Sequence, residues 1–309
     1  MEPLQVTFNF HIQSIAKVLG TAISDRKELR LSVMASLRKL IASAKESENQ
    51  DDIAEIARFD KNYLPILFNV YTTKPLGSDE EGQRLAALDT IKVFLTLASP
   101  QLTEQLFKHA VERLNSSSED PEDSFIKESI LDLIRALVPY QNTENVGVLY
   151  EQCVKPLPDI KSNKEQKKAY RLLEEICGSQ SESCKEFVKS NRKEVQRLLW
   201  KSLETAAVSS KGARLRCLNY LLKAQPQLDA DSKLIKRVVP EAVLSCKDIN
   251  EKTRYISYEV LNTVGGILQQ HNEMDKFIHL VSGWLFGDVN LMSCTILALA
   301  SILHHFSGK

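Results

Sequence analysis

One short cassette recurs seven times along the 309 residues, and it constrains the fold more than any other feature. A small residue is followed at once by a bulky apolar residue and, after two intervening positions, by a second bulky apolar residue. The instances are Ser36-Leu37…Leu40, Ala87-Leu88…Ile91, Ser129-Ile130…Leu133, Ala169-Tyr170…Leu173, Cys217-Leu218…Leu221, Ser257-Tyr258…Leu261 and Thr295-Ile296…Leu299. The first bulky positions, 37, 88, 130, 170, 218, 258 and 296, lie 51, 42, 40, 48, 40 and 38 residues apart. A period of that length is the mark of two-helix units stacked side by side, each burying its apolar face against its neighbours. The expectation is an all-α chain, an α-solenoid of about seven HEAT- or armadillo-like hairpins forming one domain over 1–309. Such an array works through its surface.

Helical periodicity places the first helix of each hairpin at roughly 6–21, 59–72, 101–116, 142–154, 183–206, 231–247 and 273–286. The 183–206 stretch carries a break near Ser190 in this reading. The second helices fall at roughly 25–46, 81–98, 122–138, 163–178, 210–224, 250–270 and 288–306. Pro65 and Pro240 lie inside apolar first helices, where a missing backbone donor bends the chain. Three second helices are preceded by an aspartate with an arginine five or six residues on: Asp25…Arg30, Asp79…Arg84 and Asp248…Arg254. The aspartate is expected to cap the helix and the arginine to reach the aspartate of an adjacent unit. Prolines in first helices and such a ladder resemble HEAT repeats.

Composition excludes several classes. Six cysteines without a C-x-x-C pair, and no histidine cluster, read as buried reduced thiols in a reducing compartment. The N-terminus shows no basic stretch leading into an apolar core, so no signal peptide is expected. Val289 to Gly308 carries no Asp, Glu, Lys or Arg, but its polar residues and its repeat register make it a buried helix of the array in preference to a membrane span. The serine-rich acidic stretch Asn115 to Ser124 reads as a turn, or equally as a site for an acidophilic kinase. No phosphate-binding loop, dinucleotide fingerprint, H-E-x-x-H or G-x-S-x-G is present. Neither catalysis, a cofactor nor a metal is expected.

Net charge is zero, yet unevenly spread. Residues 1–154 carry 16 basic against 23 acidic side chains, 155–237 carry 19 against 10, and 238–309 carry 5 against 7. In the middle stretch Lys164, Lys168 and Arg171 share one helix face, followed by Arg192, Lys193 and Arg197, then Lys211, Arg214 and Arg216. These nine form the candidate patch for RNA phosphates or an acidic protein tail. Taken singly, each reads first as part of a solvated helix face, and only together do they make a patch.

Three segments are more specific than the repeat itself: Leu157-Pro158-Asp159-Ile160 leading into Lys164 to Cys177, Asn250 to Arg254 leading to Glu259-Val260-Leu261, and Ser293 to Leu299. Together they resemble the ribosomal RNA-processing protein twelve family of nucleolar HEAT/armadillo proteins. The resemblance implies a non-catalytic scaffold in ribosome biogenesis, active in maturation and nuclear export of small-subunit precursors. It implies contacts with pre-ribosomal RNA, assembly factors and the export machinery including the small GTPase Ran, and a nuclear and nucleolar location with shuttling to the cytoplasm. Family members are longer, with further repeats and a basic tail, and no short family motif assigns binding residues to this chain. Two other readings of a solenoid stay open: a transport-receptor-like adaptor and a regulatory scaffold for a kinase or phosphatase. The last helix, almost uncharged, is expected to leave an apolar patch unless something covers it.

Overall fold

The computed structural model describes residues 19–46, 48, 50–116 and 121–307. Among these there is no strand, and antiparallel helices pair into the expected hairpins. Most of the first predicted helix, 6–21, lies outside the described residues, as do positions 117–120 of the serine-rich loop. The chain divides into two compact units, 1–141 and 142–309.

In the first unit a helical stretch over 19–25 leads to α1 (Arg30–Glu46), and α3 (Asp60–Thr72) pairs with α4 (Ser78–Leu95), and α5 (Pro100–Ser116) with α6 (Pro121–Leu137). A short α2 (Gln50–Ala57) sits between the first two hairpins, where no helix was expected, and none of its residues is buried. Pro65 lies inside α3 and the helix runs through it. Ile23, Met34, Ile41, Leu64, Leu67, Ile91 and Phe94 make the fully buried centre, with the Tyr63 and Phe94 rings 5.6 Å apart.

The second unit holds four hairpins. α7 (Thr143–Leu149) continues into a π turn at Tyr150–Val154 and pairs with α8 (Asn163–Gly178). Then come α9 (Glu182–Lys201) with α10 (Lys211–Lys223), α11 (Lys233–Ser245) with α12 (Glu251–Gln270), and α13 (Met274–Ser282) with α14 (Val289–Phe306). α9 is continuous through Ser190, so the expected break is absent. Its start is fixed by Ser181, whose hydroxyl accepts from the Cys184 N–H, and α7, α8, α11, α12 and α14 are capped likewise by Asn142, Ser162, Ser232, Asn250 and Asp288.

The cassettes explain how second helices stack. Their small residues Ala87, Ser129, Ala169, Cys217, Ser257 and Thr295 are all buried, which lets one second helix approach the next closely. The Cys217 thiol, for instance, reaches the Tyr170 carbonyl of the preceding second helix at 3.7 Å. Glycine serves the same end at two positions. A Cβ on Gly178 would lie 2.6 Å from the Tyr220 ring, and one on Gly265 would lie 2.5 Å from Phe306 and 3.2 Å from Phe277. Only the outermost cassettes turn members to water: Ser36 and Leu40 in the first, Ile296 in the last.

α14 corrects one expectation and meets another. It is long and apolar enough to cross a membrane, and only 22% of it is buried. Cys294, Thr295, Ala298 and Ile302 pack inward, whereas Val289, Ile296, Leu297 and Leu303 are exposed, because no further hairpin among the described residues packs on that side. The apolar patch is therefore present, and the helix is not a wholly buried one.

The aspartate–arginine ladder takes a different form from the one expected. Gly77, not Asp79, stands at the N-cap of α4, and Asn250, not Asp248, caps α12. The arginines bind backbone carbonyls left over where the preceding first helix ends. Arg30 donates to Ile23 and Ser24, Arg84 to Tyr71, and Arg254 to Asp248 and Ile249. A guanidinium offers five donors in a fixed fork, so one side chain can satisfy several such orphan acceptors and tie the hairpin's two helices together.

Candidate functional site

The nine basic side chains divide into three groups on three helices, and they do not have equal access to solvent. Arg214, on α10, is fully buried. Its guanidinium donates to both carboxylate oxygens of Glu241 on α11 at 2.6 and 3.1 Å, to the Leu199 carbonyl at the end of α9, to the Ser202 hydroxyl at 3.3 Å and to the Tyr170 hydroxyl of α8 at 3.4 Å. Tyr170 in turn donates to the Ser202 hydroxyl at 2.8 Å. Burial alone would disfavour the charge, but the Glu241 carboxylate outweighs it and raises the Arg214 pKa. Arg214 is thus the second unit's counterpart of Arg84, which lies over the Tyr71 and Phe125 rings at 4.5 and 4.9 Å. It is corrected here from a surface candidate to a core tie, since no partner can reach it.

Two further candidates are neutralised across the stack. Arg216 pairs with Glu174 of α8 at 2.7 Å, and Lys211 pairs with Asp248 at 3.4 Å. Both contacts link neighbouring hairpins, which accounts for their charges structurally.

Arg192, Lys193 and Arg197 lie on α9, a first helix, with Lys193 and Arg197 exposed and Arg192 half-buried. Lys164, Lys168 and Arg171 lie on α8, a second helix, and belong to a different layer of the stack. α8 buries Gln166, Ala169, Tyr170, Leu172, Leu173 and Ile176, so Lys164, Lys168 and Arg171 fall on its outer side at i, i+4 and i+7. The structure adds Lys167 to this face. Desolvation first, then the charges of Arg171 and Lys168, lower its pKa, which shows how closely the cations crowd. No carboxylate is recorded against Lys164, Lys167 or Arg171 among the described residues. Lys167 follows Lys164 by three positions, so the same helical spacing that picked out Lys168 could have found it. The compact candidate is therefore the α8 strip Lys164, Lys167, Lys168 and Arg171, with the α9 group a separate surface.

Among the described residues no three His, Cys, Asp or Glu side chains gather as a metal cage. All six cysteines are free thiols, five of them buried. Cys177 is half-buried as a residue, yet loss of water around its thiol pushes it up to about 12, and burial pushes Cys246 up to about 11, far from the depressed values of reactive thiols.

Comparison with known proteins carries the reading further. The family profile described as Ribosomal RNA-processing protein 12, HEAT repeats, matches residues 2–74. The RRP12-like protein of Gallus gallus is 37% identical over 95% of the chain, and that of Homo sapiens 34% identical over 99%. Ribosomal RNA-processing protein 12 of Saccharomyces cerevisiae is 26% identical over 85% of it. The chain is homologous to the ribosomal RNA-processing protein 12 family. The resemblance first read from three short segments thus extends along nearly the whole sequence. This chain spans 22% and 23% of the chicken and human relatives' own lengths. Among solved structures, a designed armadillo repeat protein covers 77% of the chain at 14% identity and a TM-score of 0.42.

Proposed function

We propose that this chain is a non-catalytic scaffold segment in ribosome biogenesis, supporting pre-ribosomal RNA processing through contacts with RNA or with acidic proteins of the pre-ribosomal particle. Homology to ribosomal RNA-processing protein 12 supports the process. The α8 strip supports the mode of contact: four cations on one outward face, three of them with no recorded acidic partner. Such a strip attracts phosphate without reading sequence, and its binding weakens steeply as salt rises. A nuclear and nucleolar location, a role in export of small-subunit precursors and a contact with Ran belong to this proposal as what the family implies.

The test is binding of single-stranded RNA by the full chain at low salt. Replacing Lys164, Lys168 and Arg171 by glutamate is expected to weaken binding by about tenfold or more, with the helical signal and melting unchanged. Undiminished binding by that variant, or no binding by the parent at low salt, contradicts the RNA contact and favours a purely protein-binding scaffold.

A further inference from the structure

The cations of α9 extend beyond the three singled out by the sequence. Lys189, Lys193, Arg197 and Lys201 recur every four residues and are all exposed, so successive charges stand about 6 Å apart along the helix axis in one slowly winding row. The opposite side of α9 buries Phe187, Val188, Val195, Leu198 and Leu199. Trp200 lies at the end of the row and is half-buried. Arg237 of α11, in the next hairpin, holds its guanidinium over the indole ring, 5.1 Å from the centroid. Lys233, one turn before Arg237, is exposed as well.

The charge here is unbalanced. Between 189 and 201 α9 carries Lys189, Arg192, Lys193, Arg197 and Lys201 against Glu194 alone, and α11 carries Lys233, Lys236 and Arg237 against Glu241 alone. Both carboxylates are engaged elsewhere. Glu194 lies 3.6 Å from Lys155, which follows the π turn of α7, and Glu241 is held by the buried Arg214. At the margins Glu182 pairs with Lys185, Glu186 accepts from the Thr143 hydroxyl, and Asp231 pairs with Lys236. Glu204 stands in the turn beyond Lys201. Arginines that tie this fold together use their donors: Arg84 and Arg214 bind carbonyls, hydroxyls and carboxylates. Arg237 differs, since it is exposed and no hydrogen bond or ion pair is recorded for it among the described residues. Stacking on Trp200 orients the guanidinium while its five donors stay open to a ligand.

We propose that this α9–α11 surface binds single-stranded RNA, with phosphates along the row from Lys189 to Lys201 and a nucleobase stacked on the Arg237–Trp200 pair. Unstacked bases pack on aromatic rings and guanidinium planes, and a cationic row follows the backbone without reading sequence. A duplex keeps its base faces covered. A polyglutamate segment would meet the row and leave the stack unused. The inference rests on the RNA reading proposed above and adds to it a stacking contact on the layer of first helices, apart from the α8 strip on the layer of second helices.

Fluorescent oligouridylate, whose bases are unstacked in the free strand, provides the probe, measured by anisotropy on the full chain at low salt. The controls are an abasic ribose-phosphate oligomer of equal length and a polyglutamate peptide of equal charge. Oligouridylate is expected to bind about tenfold more tightly than either. Arg237→Lys keeps the charge and loses the planar face, so it should remove the advantage over the abasic oligomer while leaving abasic binding unchanged. Lys193→Gln with Arg197→Gln should weaken both oligomers by a similar factor and flatten the salt dependence. All three side chains are exposed, and circular dichroism verifies that the variants fold. Equal binding of oligouridylate and the abasic oligomer, an Arg237→Lys variant that keeps the preference, or polyglutamate that binds as tightly as the RNA overturns the proposal. Undiminished binding by the Lys193→Gln, Arg197→Gln variant does so too. The α8 glutamate variant separates this site from the reading it rests on. Base preference that persists while the α8 glutamates change nothing removes the α8 contact alone. Weakened binding by the α8 variant without any base preference removes the stacking site alone, and a parent chain that binds neither oligomer overturns both.

Discussion

Arg214 shows what a buried charge does in a repeat protein. One guanidinium satisfies Glu241, the Leu199 carbonyl and the hydroxyls of Ser202 and Tyr170, so four helical segments meet on one side chain. Replacing it by methionine leaves the Glu241 carboxylate poorly compensated and the Leu199 carbonyl unpaired. We expect a loss of about 3–5 kcal/mol in chemical denaturation, with much of it recovered when Glu241 is also made apolar. Sequence spacing placed Arg214 in a basic run beside Lys211 and Arg216, and nothing local distinguishes it from them. What decides its role is the position of Glu241, 27 residues away on the next hairpin. Long-range pairing of this kind leaves no mark in a periodicity.

The cysteines carry a pH consequence at the same scale. Desolvation of the thiol raises Cys177 to about 12 and Cys246 to about 11 from an ordinary value of 9.0. In the unfolded chain these thiols lose their protons near pH 9, while the folded chain keeps them, so the folded state binds more protons through that window. The stability contribution is complete below about pH 9 and is lost as pH rises toward 12. Under reducing conditions the denaturant midpoint should fall across this range, and Cys177→Ala with Cys246→Ala should flatten the fall. An unchanged slope in that variant would assign it to other groups.

At the scale of the element, stacked second helices depend on small residues at their crossing points. Gly265 is the most confined: a methyl there meets Phe306, which sits at a helix end, and Phe277, which is fully buried and cannot yield. Gly265→Ala is therefore expected to cost about 1–3 kcal/mol despite the better helix propensity of alanine, read as a lowered midpoint of unfolding. A midpoint equal to or above the parent's would show that α14 can shift to accommodate it. Helices and crossing points were largely legible in the sequence, because burial imposes a regular apolar stripe and the cassette marks where two stripes meet. α2 was not, since no residue of it is buried and it carries no such stripe. The break foreseen near Ser190 was absent because Ser181 caps α9 at its start and the apolar stripe through Val188, Val195 and Leu199 continues past the polar interruption.

For the molecule as a whole, the same construction yields two kinds of surface. Arginine ties and inter-hairpin ion pairs consume several of the charges that look available in the sequence. What stays accessible is of these two kinds: cations on the outward faces of α8 and α9, and the apolar outer face of α14. This explains why Lys211, Arg214 and Arg216 drop out of the nine candidates. Distributing function over such faces suits a scaffold that holds several partners at once.

Gradient sedimentation of the full chain with pre-ribosomal particles tests this account most directly. The parent chain should travel with the particles and be released by RNase, while the Lys164→Glu, Lys168→Glu, Arg171→Glu variant, folded by circular dichroism, should remain near the top of the gradient. A parent chain that never enters the particle fractions, or a triple variant that co-sediments as well as the parent, would contradict it.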